Sequence, residues 1–275
     1  MSPTVVRQAL LAAALTCAAL PAFGDKPTYR MTTEYSVTWL GMPIFKGAIT
    51  GQNLGKRYSL DFRAKATGLL RVIQRSQIVA YANGSVEPSR YRAERFHLRA
   101  KWRKKRRRVD IRFAPDGDLK LLVSPAEPGK RKPVPKALAA AGLDPLTALL
   151  HSTTVPLDTK PCALKVPIFD GRRRFDIRLE YIGPVKLKRP VSPLLDRAAI
   201  KCRIHIRRVA GFTAKEVRDM DRGRKRNAVI WVSKLRRLKM WMPVRFVYPS
   251  RWGRATGRVV KISVAPVPHA KGPVK

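Results

Sequence analysis

The sequence predicts a mainly β protein: one large antiparallel curved sheet or open barrel, with one or two short helices. About a dozen segments alternate apolar and polar residues with the period of two that strands require. Turn-forming residues separate these segments about every 8–12 residues, which is typical of antiparallel sandwiches and barrels. No linker rich in Pro, Gly or Ser divides the chain, and no internal repeat is visible. We therefore expect a single β domain over residues 25–265.

The N-terminal half shows the most regular alternation. In residues 31–39, Met31, Tyr35 and Trp39 share one face while polar residues occupy the other, as in a half-buried strand. Asn83-Gly84 is a residue pair typical of a tight hairpin turn. Further strands are predicted at residues 44–50, 58–65, 77–82 and 88–98, and a short helical turn is considered for residues 68–75.

Residues 99–112 contain the densest basic run of the chain. Nine of these fourteen residues are Lys or Arg, and Asp110 is the only acid. Two compatible interpretations arise: the run is the solvated tip of a hairpin, which is the usual role of a charge run, or it binds an anion. A second basic cluster lies at residues 222–226, at an expected hairpin end. The anion-binding residues predicted from the two clusters are Arg103, Lys104, Lys105, Arg106, Arg107, Arg108, Arg224, Lys225 and Arg226.

The clearest helix signal follows a Pro-rich, basic loop at residues 124–135. Asp144 is a suitable N-cap, Pro145 suits the first helical position, and good helix formers follow. Residues 137–141 fit a short helical turn that Gly142 ends.

The C-terminal half returns to strands. Residues 229–262 hold three of the five tryptophans, and large aromatic side chains bury the most apolar area per residue, so this block is expected to supply much of the core. Asp170-Gly171 predicts a tight turn. Strands are predicted at residues 118–123, 162–168, 175–181, 200–207, 229–232, 241–248 and 255–264, a loop at 184–197 and a frayed tail at 266–275.

Residues 1–24 have the pattern of a secretory signal peptide. Arg7 supplies a positive start, residues 9–20 form an apolar stretch too short to span a membrane, and small residues precede a cleavage site after Gly24. A lipoprotein signal with lipidated Cys17 is the alternative, but the residues before Cys17 fit that pattern poorly. Because no later apolar run approaches the roughly 20 residues of a spanning helix, we expect a soluble periplasmic protein with no transmembrane segment after signal removal.

Cysteine usage predicts a disulfide between Cys162 and Cys202. These two remain after signal removal, and an even number of cysteines in an oxidising compartment normally pairs. Each is expected on the apolar face of an alternating strand, and two buried free thiols are the alternative. Cysteine and histidine show no metal-ligand spacing, so we predict no metal site and no cofactor.

The charge of the chain is its most unusual property. Lys and Arg number 58 against 18 Asp and Glu, a formal net charge of +40. Such a charge repels itself and must be solvated or neutralised by an anionic partner, for which nucleic acid, anionic lipid and acidic polymers are candidates. No known nucleic-acid module is visible, and an exported protein meets little nucleic acid, so we expect only non-specific nucleic-acid binding.

Several short motifs resemble a known family across most of the mature chain. The chain is similar to the uncharacterised Gram-negative envelope proteins catalogued as domain of unknown function 3108. The resemblance implies a secreted, mostly β domain, and it supplies no established activity and no catalytic residues. The residues that carry it are Tyr35, Val37, Trp39, Gly41, Gly47, Asp144-Pro145-Leu146, residues 168–173, Met242-Pro243-Val244 and Gly257.

No pattern of catalytic residues emerges from the sequence. There is no Gly-x-Ser-x-Gly motif, and no histidine lies at relay or ligand spacing from a carboxylate or from another histidine. A glycosidase would need paired carboxylates, but Asp170 has a turn role, and Asp176 and Glu180 are expected to pair with Arg across strands. The histidines are His97, His151, His205 and His269.

These observations predict an exported envelope protein without enzymatic activity that binds an anionic or lipid-like envelope component. A curved sheet of this size can hold an apolar ligand at an open mouth. One alternative is a protein that binds anionic polymers or nucleic acid. The other is a hydrolase whose site is assembled from residues distant in sequence.

Overall fold

The computed structural model describes residues 28–73, 75–87, 90–103, 105–126, 131–158, 160–188, 191–223, 228–250 and 253–267. The predicted signal peptide and most of the predicted tail lie outside these ranges. The strands are β1 (Tyr29–Trp39), β2 (Met42–Asn53), β3 (Arg57–Ala66), β4 (Gln77–Val86), β5 (Tyr91–Trp102), β6 (Lys105–Phe113), β7 (Leu119–Ser124), β8 (Lys165–Phe169), β9 (Arg174–Lys186), β10 (Leu195–Ala210), β11 (Ala228–Leu235), β12 (Met240–Ser250) and β13 (Gly253–Pro266).

All thirteen strands form one antiparallel sheet in the order β7-β6-β5-β4-β3-β2-β1-β13-β12-β11-β10-β9-β8. Strands that are consecutive in the chain are therefore neighbours in the sheet, with the exception of β7 and β8, which form its two edges. The first and last strands, β1 and β13, pair with each other at the centre. The sheet is not closed. This arrangement confirms the predicted single antiparallel sheet with few helices.

The described ranges contain four α-helices, two of which pack against the inner face of the N-terminal half of the sheet. They are α1 (Gly68–Ile73), α2 (Lys136–Ala140), α3 (Pro145–Thr153) and α4 (Ala214–Gly223). Ala139 of α2, Leu146 of α3 and Phe169 of β8 pack in one buried cluster with Val109 and Ile111 of β6. The N-terminal half of the sheet is thus covered from inside by elements that follow it in the chain.

Helix α4 includes residues 222–223 of the hairpin end that we expected at 222–226, and residues 224–226 lie outside the described chain. The helix lies between β10 and β11 in the chain and begins with a reciprocal cap, in which Glu216 N–H donates to Thr213 Oγ1 (3.2 Å) and Thr213 N–H donates to Glu216 Oε2 (2.9 Å). This Thr-x-x-Glu capping box satisfies two backbone donors at the helix start. The motif is visible in the sequence and was the available signal for the helix.

The hairpin turn predicted at Asn83-Gly84 is wrong. Both residues lie inside β4, which continues to Val86, and the register with β5 shifts between them. A Cβ at Gly84 would lie 2.0 Å from the carbonyl oxygen of Arg92 and 2.8 Å from the Tyr58 hydroxyl. Glycine is needed here because another backbone approaches closely at a bulge, which is the second common role of glycine in strands.

The block at residues 229–262 supplies one of the two main buried clusters. Met240, Met242, Val244, Val259 and Ile262 are buried together with Leu195 and Leu235. The other cluster comes largely from β3–β6 and the helices. The prediction about the core is therefore right for Met240, Trp241 and Met242, whereas Tyr248 and Val260 of the same block are exposed.

The Cys162–Cys202 disulfide is confirmed, with 5.7 Å between the two Cα atoms. Both cysteines are buried and pack with Val232 and Trp241. Cys202 lies on β10 as predicted, but Cys162 lies in a turn before β8 rather than on a strand. The bond ties this turn to the middle of the C-terminal half of the sheet.

Asp144 caps α3 from a fully buried position. Its Oδ1 accepts hydrogen bonds from the backbone N–H groups of Leu146 (2.9 Å) and Thr147 (3.0 Å), as the sequence predicted. Its Oδ2 has no hydrogen-bond partner among the described residues. Burial raises the pKa of Asp144 to about 6, since the charged form is poorly solvated there.

This raised pKa predicts a stability change with pH. Between about pH 4 and pH 6 the unfolded chain releases the Asp144 proton while the folded chain keeps it, so stability falls as pH rises through this window, by up to about 3 kcal/mol. We expect Asp144→Asn, which keeps the cap acceptor, to remove this dependence. Urea unfolding of both proteins at pH 4 and pH 7 measures it. A wild-type-minus-variant stability difference that does not change with pH would contradict the prediction.

Candidate anion-binding surface

The predicted basic residues are only partly within the described chain. Lys104 and Arg224–Arg226 lie outside it. Arg103 lies in the turn between β5 and β6 with a positive φ of 51°, and Lys105 begins β6. Whether these residues bind an anion remains a prediction.

Alternation along β6 divides the rest of the run between two faces. Val109 and Ile111 are fully buried on the inner face, so Arg107 shares their side, while Arg106 and Arg108 are exposed on the outer face. Arg107 donates to the carbonyl oxygen of Asp170 (3.3 Å) at the β8–β9 turn. Arg107 therefore connects the two sides of the open sheet and is structural, which the sequence did not indicate.

On the outer face, cations stand directly opposite cations. Lys101 of β5 pairs with Arg106 of β6, and Arg99 pairs with Arg108. Among the described residues, no carboxylate lies within salt-bridge distance of these four side chains. Like charges directly opposite each other destabilise a sheet, so this arrangement favours an anion between them. We name Arg99, Lys101, Arg106 and Arg108 the β5–β6 quartet. They line a groove of about 500 Å³ together with Gln77, Val79, Ala100, Arg107 and Ser124.

The next pairs along the same strands are neutralised by a carboxylate. Asp110 lies 3.2 Å from Arg95 and 3.0 Å from His97 Nδ1. Burial by itself would raise the pKa of Asp110, but the hydrogen bonds from Arg95 and His97 outweigh it and hold the pKa below its usual value. His97 is therefore a partner of the Asp110 carboxylate within this cluster.

A second cluster of the same kind lies on β9 and β10. Glu180 accepts from Arg203 (3.0 Å) and from His205. The hydrogen bond from His205, together with the nearby Arg203 charge, lowers the pKa of Glu180. Strand pairing brings both histidines to carboxylates that lie far away in sequence, which spacing along the chain cannot reveal.

Two members of the quartet, Lys101 and Arg106, belong to a longer row across the sheet in which seven of ten side chains are basic. The strand register places Lys65 opposite Lys46, and Arg258 opposite Arg245, with Ser36 of the central strand between the two pairs. From β6 to β10 the row spans ten strands, or about 43 Å at the usual strand spacing of about 4.8 Å. We call it the cationic row; its members in order are Arg106, Lys101, Gln77, Lys65, Lys46, Ser36, Arg258, Arg245, Trp231 and Lys201.

The β10 end of the row carries a mixed apolar and basic groove. Trp231 lies between its neighbours in the row, with Arg245 4.8 Å and Lys201 5.4 Å from the ring centre. The groove measures about 650 Å³. We name it the Trp231 groove; its apolar lining is Val185, Leu187, Val191, Trp231, Val244, Val259 and Val260, and its basic lining is Lys186, Lys188, Arg245 and Arg258.

A smaller cavity lies inside the sheet, against α3. It measures about 60 Å³ and is lined by residues that include Met31, Tyr35, Leu146 and Met242. The Tyr35 hydroxyl is satisfied by the carbonyl oxygen of Pro243 at 3.0 Å. Ligand sites usually measure about 300–1,000 Å³, so this cavity is a packing gap rather than a site for a ligand in the present conformation.

The predicted carboxylates serve as partners of arginine. Asp176 contacts Arg174 (2.6 Å) and Arg207, and Asp170 lies 2.6 Å from Arg173 in the tight turn. Within the described ranges, no three His, Cys, Asp or Glu side chains converge as a metal site would require. None of the helices described here has the length and apolar character to cross a membrane.

Comparisons with known proteins agree with the resemblance seen in the sequence. No curated protein matches the chain. Among solved structures, the chain is similar to one described as a beta-barrel-like protein of domain of unknown function DUF1849 from Brucella abortus. The identity is 12%, the similarity covers 87% of this chain and 98% of that chain, and the TM-score is 0.46. The family model described as "Protein of unknown function (DUF3108)" matches residues 34–260, and the chain therefore belongs to this family.

Proposed function

We propose that the mature chain is a periplasmic, non-enzymatic protein that binds anionic lipid headgroups of the cell envelope through the β5–β6 quartet and the cationic row. Export is supported by the signal-peptide pattern of residues 1–24. Binding is supported by the net charge and, above all, by the like-charged pairs on the outer face. Those pairs are the observation on which the proposal depends.

The electrostatics favour an anionic surface as the partner. Each Lys or Arg near an anionic membrane contributes about 1 kcal/mol, so four neighbouring cations supply a substantial attraction. Anions bound at the Lys101–Arg106 and Arg99–Arg108 pairs would also neutralise the repulsion between the two cations of each pair. Exposed charges are screened within about 8 Å at physiological ionic strength, so the binding should weaken as salt rises.

Replacing the β5–β6 quartet by glutamine tests the proposal. We expect the wild type to adsorb at low salt to vesicles containing phosphatidylglycerol and not to pure phosphatidylcholine vesicles. The quartet variant should bind more than tenfold more weakly, because four cations leave the contact surface. Vesicle co-sedimentation over a range of salt concentrations measures both effects. Arg107 is left unchanged because it contacts Asp170.

A matched variant separates a specific surface from net charge. Arg57, Arg63, Arg90 and Arg236 each pair with a carboxylate and are well exposed. Replacing these four by glutamine removes the same charge without touching the cationic row. Equal losses in the two variants, or equal adsorption of the wild type to neutral vesicles, would overturn the proposal.

A further inference from the structure

The Trp231 groove joins an exposed apolar surface to unpaired cations at one end of the cationic row. Val191 and Val260 are 36% and 44% exposed, and both line the groove. The groove of about 650 Å³ falls within the usual range of ligand sites, about 300–1,000 Å³. Its walls therefore offer a contact surface for a hydrocarbon chain.

The basic residues at the rim of the groove are suited to binding an anion. Arg245 and Arg258 stand directly opposite each other on β12 and β13, and both are exposed. Within the part of the chain that is described, no carboxylate lies at salt-bridge distance from either guanidinium or from Lys186 and Lys188. A phosphate between Arg245 and Arg258 would accept hydrogen bonds from both and neutralise their repulsion.

We propose that the Trp231 groove binds a single anionic phospholipid, with its phosphate at Arg245 and Arg258 and part of its acyl chain along Leu187, Val191 and Val260. This inference rests on the proposed function, since it names the class of lipid and the place where one molecule is held. The partner follows from charge complementarity together with adjacent apolar walls. A free anion would leave Val191 and Val260 in water, and a neutral lipid would leave the two guanidinium groups unpaired.

A soluble probe separates this site from adsorption to a membrane. Lysophosphatidylglycerol, kept below its micelle concentration, should bind the full-length mature protein in isothermal titration calorimetry. Glycerol phosphate, which has the headgroup alone, should bind at least tenfold more weakly. Lengthening the acyl chain should tighten binding by at most about fourfold for each added methylene that the groove covers. Equal affinity for glycerol phosphate, or no effect of chain length, would overturn the proposal.

Substitutions at the two parts of the groove locate the site. Val260→Asp places a charge on the apolar wall at an exposed strand position, and we expect at least a tenfold loss of lysophosphatidylglycerol affinity. Leu122→Asp on β7 is the matched control, because Leu122 is 50% exposed and lies outside the groove. Arg245→Gln with Arg258→Gln should weaken lysophosphatidylglycerol binding and leave the binding of a monoacylglycerol with the same acyl chain, which has no phosphate, little changed. Should Val260→Asp not fold, Val191→Asp makes the same test outside the strands.

The two proposals fail in different ways. Vesicle adsorption that depends on the β5–β6 quartet, without binding of the soluble lipid, would leave the proposed function standing and overturn the groove. Binding of the soluble lipid that Val260→Asp abolishes and Leu122→Asp does not would support the groove. That support would hold even if the quartet had no effect on vesicles.

Discussion

Replacing Cys162 and Cys202 together by alanine is expected to lower the free energy of unfolding by about 4 kcal/mol. The bond closes a loop between residues 40 apart in sequence, and its removal frees the unfolded chain from that constraint. Both cysteines are buried, so the loss of their sulfur atoms adds a packing cost. Equilibrium urea unfolding of the oxidised wild type and the double variant measures the difference.

Reductant provides the control for this effect. Dithiothreitol should lower the unfolding free energy of the wild type to nearly that of the variant. It should leave the unfolding free energy of the double alanine variant unchanged, because the described chain contains no other disulfide. Two buried thiols, the alternative raised by the sequence, predict a wild type indifferent to reductant. If dithiothreitol does not change the urea midpoint of wild-type unfolding, the Cys162–Cys202 disulfide is contradicted.

Local patterns predicted most of the strands. Period-two alternation depends only on neighbouring residues, and β1 and β3 appear where the alternation placed them, whereas β9 and β10 extend into the predicted loop at residues 184–197. The disulfide followed from cysteine count and compartment alone. Cys162 was nevertheless assigned to a strand, since the apolar alternation of residues 162–168 continues through a turn that only tertiary structure defines.

The candidate site depended on information that the sequence does not contain locally. The sequence identified the basic run of β6, but it could not separate the exposed Arg106 from Arg107, which contacts Asp170. Lys46 and Arg258 are separated by most of the chain and become neighbours of Ser36 only through strand pairing. Register is set by packing and turn geometry across the whole sheet, so the cationic row could not be predicted from runs of charge.

The same limit explains two further errors of local structure. Asn83-Gly84 has the composition of a turn, but the close approach of Arg92 and Tyr58 determines its actual role. Helix α4 has a capping box and an amphipathic sequence, but its apolar residues are few, so no apolar segment marked it as an element of the fold.

Replacing Asp176 by alanine is expected to cost about 3–5 kcal/mol of unfolding free energy. The side chains of Asp176 and Arg174 are 5% and 8% exposed, and their charged atoms lie 2.6 Å apart. Loss of the carboxylate leaves the Arg174 guanidinium buried without its counter-ion, which is far more costly than losing an exposed pair. Asp61→Ala is the matched control, because its partner Arg63 is well exposed and such pairs contribute at most about 1 kcal/mol.

The cost of Asp176→Ala should also depend on pH. Burial alone would raise the pKa of Asp176, but the hydrogen bonds from Arg174 and Arg207 outweigh it and lower the pKa. A lowered carboxylate pKa stabilises the fold above the ordinary value of about 4, and this stabilisation is lost as pH falls through the folded-state pKa. Urea unfolding at pH 7 and pH 3 should therefore give a larger wild-type-minus-variant difference at pH 7. A difference of under 1 kcal/mol at pH 7, matching Asp61→Ala, would show that Arg174 does not need its buried counter-ion.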